Sequence, residues 1–157
     1  MNFGRPSSFH FTLVFMISIA VQTQQRRLRL DKRFLKKTVR RILEDAGIES
    51  AEISIAVVDD PTIAKVHAEF LDDDSPTDVI SFVLGSSPGR LEGEVVASAD
   101  TAIARAPQYG WLPEEELLLY VIHGVLHLVG YDDTTPQKRK SMRRMERHYL
   151  ETCTEQR

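Results

Sequence analysis

Between Pro113 and Val129 the sequence runs PEEELLLYVIHGVLHLV, and this stretch sets the terms for the rest of the chain. Pro113 and Glu114, Glu115 and Glu116 form a strong helix start, with the acids at the positive end of the macrodipole. From Leu117 to Val129 the helix is apolar on nearly every side, so other elements must bury it all round. That buried helix nevertheless carries His123 and His127. Four apart, their side chains lie one turn above each other on the same face, and both imidazoles can reach one ion. Buried polar groups seldom go unpaired, and a metal would satisfy one nitrogen on each ring. The alternative is two core histidines beside a polar turn, since single histidines are often partly buried without any metal.

The residues that follow favour the metal. Gly130 suits the left-handed position after a helix C-terminus, where the chain can reverse. That reversal would return Asp133, six residues past His127, to the same ion. Two imidazoles and a carboxylate leave a coordination position open, the ligand count of a catalytic rather than a structural zinc. The same set is the facial triad of non-haem iron, so Fe2+, Mn2+ and Ni2+ stand open beside Zn2+, one ion per chain. Asp132 and Tyr131 are the candidates to orient a ligand imidazole from behind.

The string from His123 to Asp133, HGVLHLVGYDD, resembles the HGxLHLxGYDH signature of the YbeY family of bacterial endoribonucleases. Only its last position differs: Asp133 stands where the family usually has a third zinc-binding histidine. Two further segments carry the resemblance. Pro76 to Phe82 is similar to the family's PTDVLSF-like segment, and Gly93 to Ser98 to its GDIVIS-like strand. The resemblance implies a metal-dependent single-strand endoribonuclease of ribosomal RNA maturation, with zinc as cofactor and ribosomal RNA and the small ribosomal subunit as partners. Upstream of Pro76 the chain departs from the pattern, with His67 in place of an asparagine and Leu71 in place of an arginine tied to RNA cleavage. Leucine cannot hold a phosphate or stabilise developing negative charge. The departures at Leu71 and Asp133 motivate a second reading, a non-catalytic ribosome-assembly factor with a structural metal. A third, a metalloprotease-like hydrolase, rests on the similar metzincin spacing H-E-x-x-H-x-x-G-x-x-H, but Gly124 occupies the position of that motif's catalytic glutamate and cannot take up a proton.

Charge is segregated along the chain despite a net charge of only −3. Arg26 to Arg41 holds nine Lys/Arg against one acid, and Lys138 to Arg147 six against one, while Glu44 to Ala104 holds fourteen acids against two bases. Lys36, Arg40, Lys138, Arg139 and Arg143 are therefore candidates to track an RNA backbone. The alternative is that both runs are the solvated faces of amphipathic helices. Acids near the cleft would count against high RNA affinity by this chain alone. The one cysteine, Cys153, cannot form an internal disulfide, so nothing requires an oxidising compartment, and a cytoplasmic location is expected.

Residues 1–15 are expected to be an N-terminal extension, disordered or a start-site artefact. The apolar run Phe11 to Val21 is too short to span a bilayer and lacks the flanks of a secretory signal. Residues 16–157 then read as a single domain. The expected order is a strand at Ile17–Gln22, a helix capped by Asp31 and stopped by Gly47, and a strand at Ile53–Val57. A helix capped by Asp60 follows, with a buried stripe of Ile63, Val66 and Phe70. Next come a strand beginning at Thr77–Phe82, a loop at Ser86–Gly89, a strand at Glu94–Ser98, and a short helix capped by Asp100. The metal-bearing helix and a last helix capped by Thr135 complete it. This is an α+β fold: a small mixed four-stranded sheet packed with helices, the metal site on a buried central helix and the following turn.

Overall fold

The computed structural model describes residues 15–73, 75 and 77–157. The expected N-terminal extension, apart from Phe15, lies outside the described residues. The described chain runs β1 (Met16–Thr23), α1 (Lys32–Asp45), β2 (Ser50–Val58), α2 (Asp60–Leu71), β3 (Val79–Ser87) and β4 (Arg90–Ser98). It continues with α3 (Ala99–Arg105), a 3-10 turn (Ala106–Tyr109), α4 (Pro113–Leu128) and α5 (Pro136–Glu155). The strands form one sheet in the order β1-β2-β4-β3, in which β1 and β4 pair parallel to β2 and β3 pairs antiparallel to β4. The expected mixed four-stranded α+β sheet is therefore present. No helix among the described residues is long and apolar enough to cross a membrane.

Two faces of this sheet are covered, and β2 and β4 show it in sequence. Ile53, Ile55 and Val95 face a core shared with α1, α4 and α5, whereas Val58 and Val96 face Ile63 of α2 and Ile80 of β3. The run Val95-Val96-Ala97 is buried throughout, as a strand covered on both sides must be. Central helix α4 lies within this packing, with Val121, Ile122, Val125 and Leu126 fully buried. It approaches the sheet closely because Gly124 has no side chain: a Cβ there would stand 2.6 Å from Val95 Cγ1 and 3.2 Å from Val79 Cγ2. Residue 124 thus belongs to the helix–sheet contact and offers no reactive group.

Several boundaries differ from the sequence expectation, each for a local reason. Asp59, not Asp60, caps α2, accepting from the Thr62 N–H (2.9 Å). Asp60 instead accepts from the hydroxyls of Ser98 (2.6 Å) and Thr101 (2.9 Å), tying the starts of α2 and α3 together. Ser98 caps α3 in place of Asp100, whose carboxylate binds the Asp60 N–H and the Arg27 guanidinium. Ser86 and Ser87 extend β3 rather than forming a loop, and they pair with Leu91 and Arg90 of a strand that begins four residues before the expected Glu94. Pro88-Gly89 alone makes the turn, with Gly89 at φ +74°. Phe70 does not join a buried stripe. It is 62% exposed and leans on Phe82 of the sheet edge, with ring centroids 5.2 Å apart.

The Gly124 contact makes a prediction. Alanine is the better helix former by about 1 kcal/mol, but the clash falls on a stiff, fully buried valine. Overpacking should win, so Gly124→Ala should lower the unfolding free energy by roughly 1–3 kcal/mol in urea titrations. An unchanged or raised midpoint would contradict the close approach.

Candidate metal centre

The histidines and the aspartate arrive from different local structures. His123 and His127 stand on the last two turns of α4. The chain then reverses through Gly130 at φ +107°, where the Tyr131 N–H donates to the Leu126 carbonyl (3.0 Å) and the Gly130 N–H to the His127 carbonyl (3.1 Å). Those two bonds close a Schellman C-cap, the geometry that glycine makes accessible. Asp132 locks the next step. Its carboxylate accepts from the Asp133 N–H (2.7 Å), the Thr134 hydroxyl (2.7 Å) and the Lys138 ammonium (3.3 Å). These partners, the Thr134 hydroxyl foremost, hold its pKa down at about 2.

The braced turn directs Asp133 back at the helix. Its Oδ2 lies 3.7 Å from His123 Nε2 and 3.7 Å from His127 Nε2, and the two Nε2 atoms are 3.1 Å apart. A point equidistant from the three atoms lies about 2.0 Å from each, the length of a zinc–imidazole or zinc–carboxylate bond. Among the described residues these three are the group of His, Cys, Asp and Glu side chains placed to hold a metal ion. The donor chemistry fits as well. Two imidazole nitrogens at 3.1 Å would oppose their lone pairs unless a proton or a cation lies between them.

The residue that orients an imidazole is one the sequence did not single out. Glu146 of α5 places Oε1 2.6 Å from His123 Nδ1, so Nδ1–H donates to the carboxylate and Nε2 is left to face Asp133. Burial works against a charged His123. The Glu146 hydrogen bond and the charges of Glu146 and Asp133 outweigh it and raise the pKa above the ordinary histidine value. Asp132 and Tyr131, the residues expected in this role, do other work: Asp132 braces the turn, and Tyr131 packs against the core. A carboxylate one helix away, at no motif spacing from His123, leaves no mark that one sequence could reveal.

Two clefts meet at the histidines. One, of about 210 Å³, is lined by His67, Leu71, Thr77, Val79, Ile80, Ser81, His123 and His127. His67 thus faces the site, its Nδ1 2.8 Å from the Ser75 carbonyl oxygen, while Leu71 is 53% exposed and brings only an apolar surface. The other, of about 570 Å³, includes His123, Glu146 and Arg143. The basic candidates are dispersed. Lys138 pairs with Asp132, Arg139 donates to the Asp133 carbonyl (3.3 Å), and Arg40 donates to the Ile17 carbonyl (2.9 Å) while Lys36 stays exposed on α1. Arg143 is the one that borders the cleft beside the histidines.

Sheet, helix and triad together define an α+β protein with a two-histidine, one-carboxylate site open on one side. A family model described as Endoribonuclease YbeY matches residues 20–154. The chain is similar to endoribonucleases YbeY of Rhodopirellula baltica, 49% identical over 64% of this chain and 53% of the relative, and of Persephonella marina, 39% identical over 69% and 74%. The Aquifex aeolicus endoribonuclease YbeY is 33% identical over 84% of this chain and 89% of that protein. A solution structure of a Thermotoga maritima protein superposes with a TM-score of 0.61 at 25% identity, covering 87% of this chain and 89% of that one. The match to the Rhodopirellula baltica relative spans about half of that protein's length. The chain belongs to the YbeY family.

The Glu146 contact is testable without metal. Because the pair raises the folded-state pKa of His123, its stabilisation is present below the unfolded histidine pKa and fades as pH rises through the folded value. In the chelator-treated chain, NMR should place the His123 midpoint above 6.5, and Glu146→Gln should bring it down. A midpoint unmoved by that substitution would remove Glu146 as the cause.

Proposed function

We propose that this chain is a metal-dependent single-strand endoribonuclease of ribosomal RNA maturation, acting by phosphodiester hydrolysis. The observation that carries the reading is the convergence of His123 Nε2, His127 Nε2 and Asp133 Oδ2 on one point at metal-bond distance. Family membership supports the same activity. The three side chains would hold one divalent ion, zinc in the first instance, with iron(II), manganese(II) and nickel(II) as competitors for the same donors. When bound, the ion would draw electron density from a phosphoryl oxygen and from water, which favours phosphodiester hydrolysis at neutral pH.

The protein's own groups do the rest. Glu146 holds His123 in the tautomer that presents Nε2, and Asp132 fixes the backbone that aims Asp133. Leu71 supplies no charge to the smaller cleft, so positive charge near a bound phosphate must come from Arg143 and Arg147, across His123 in the larger one. Lys36, Lys138 and Arg139 remain peripheral contacts to backbone phosphates. Ribosomal RNA within the small subunit, in the cytoplasm, is the substrate setting proposed. The protease alternative loses its place, since Gly124 is packed against Val95 with no room for an acid.

Incubation of single-stranded ribosomal RNA with the metal-loaded chain should give cleavage that a chelator abolishes. His123→Ala and His127→Ala should each lose it by about a hundredfold or more while remaining folded by circular dichroism. Binding of RNA with no chelator-sensitive cleavage would favour the assembly-factor reading. A second outcome follows from Asp133. A carboxylate in place of a neutral imidazole makes the site less positive, so Asp133→His should shift the pH–rate profile to lower pH. Coincident profiles would contradict it.

A further inference from the structure

The larger cleft beside His123 has features that metal binding does not use. It is lined by Arg105, Tyr109 and Trp111 from α3 to the start of α4, by Glu116 and Tyr120 of α4, and by Arg143, Glu146 and Arg147 of α5. Two aromatic rings at its rim face solvent, Trp111 at 36% exposure and Tyr109 at 61%, their centroids 6.1 Å apart. Large aromatics are normally covered, and a pair exposed beside a reactive centre offers stacking surface to a planar ligand. Glu116 and Tyr120, each 3% exposed, sit against one another in this lining, where burial and then the Glu116 carboxylate push the Tyr120 hydroxyl's pKa up.

The cations complete the set. Arg105 is engaged by Asp78 (3.2 Å), but Arg143 and Arg147 are exposed and take part in no ion pair among the described residues. Both also line a groove along α5 with Arg139, Lys140 and Arg144, so positive charge runs on from the cleft. A cleft of about 570 Å³ lies within the usual range for a small-ligand site and could take a nucleotide.

We propose that this cleft is the subsite for one unpaired nucleotide next to the scissile bond, its base stacked on Trp111 and its phosphate held by Arg143 and Arg147. The proposal rests on the endoribonuclease reading for its substrate class and adds to it the path of the strand. From the metal centre the RNA continues past His123 and Glu146 toward α5, on the side away from Leu71. A base inside a duplex cannot use the subsite, because its neighbours in the stack cover both of its faces.

Trp111 is the only tryptophan, so its emission reports on this cleft directly. The full chain carrying His127→Ala, held in chelator, is titrated with a six-nucleotide single-stranded RNA and with the same sequence as a duplex. The single strand should quench Trp111 saturably, and the duplex should bind the cleft at least about tenfold more weakly. Arg143→Ala with Arg147→Ala should weaken the single-strand titration by roughly tenfold and flatten its salt dependence. In the metal-loaded chain Trp111→Phe should keep most of the RNA cleavage that Trp111→Leu loses. Cleavage by the otherwise unaltered chain with no quenching, or equal quenching by duplex and single strand, would overturn the subsite and leave the nuclease reading standing. Saturable, strand-selective quenching without any cleavage would uphold the subsite and remove the nuclease reading.

Discussion

Two imidazole nitrogens 3.1 Å apart, with a carboxylate oxygen 3.7 Å from each, form an arrangement of electron pairs that repels itself. It demands a proton or a cation between its donors, and at a half-buried helix end the demand is sharper than it would be in water. The surrounding structure makes sense as the means of meeting that demand. α4 is apolar enough to be held rigidly in the core, Gly124 lets it press against β4, and the glycine at φ +107° turns the chain back within three residues of the helix end.

Neither histidine position nor the turn would suffice alone. An imidazole can rotate, and a free aspartate on a half-exposed turn would spend its time in solvent. Glu146 removes the first freedom by binding Nδ1 of His123, and Asp132 removes the second by capping the backbone N–H of Asp133. The outer residues are acids doing opposite electrostatic jobs. Glu146 adds negative charge behind His123 and strengthens its donor character, whereas the charge of Asp132 is balanced by Lys138 and its oxygen is bonded by the hydroxyl of Thr134.

The sequence was informative where the chemistry is local. The His-x3-His spacing, the glycine after it and the acid three residues on lie within eleven residues, and periodicity fixes their relative faces without tertiary information. Family resemblance then supplied the reaction class. The apolar runs located four strands and the long helices for the same reason. What failed were features decided by a neighbour distant in sequence. Asp60 looks like a cap, but the hydroxyls of Ser98 and Thr101 claim it, and Asp59 is left to cap the helix. Phe70 looks like core, but it lies at the far end of α2 from Ile63, over Phe82 of the edge strand, and stays open. Glu116 reads as one of three first-turn acids, whereas in the fold it is buried. The carboxylate behind His123 comes from α5, twenty-three residues away, and only folding brings it there.

Asp133 brings a carboxylate oxygen to the site and Leu71 only an apolar surface to the cleft beside it, so the charge around the site comes from its own three donors and from groups further out. The whole account turns on one ion held by three named atoms. Zinc K-edge X-ray absorption on the zinc-loaded chain, beside Asp133→Ala, tests that point most directly. The account predicts one zinc per chain with two imidazoles and a carboxylate oxygen in its shell, and loss of that oxygen in the variant. Substoichiometric zinc, or a shell identical in both proteins, would contradict it.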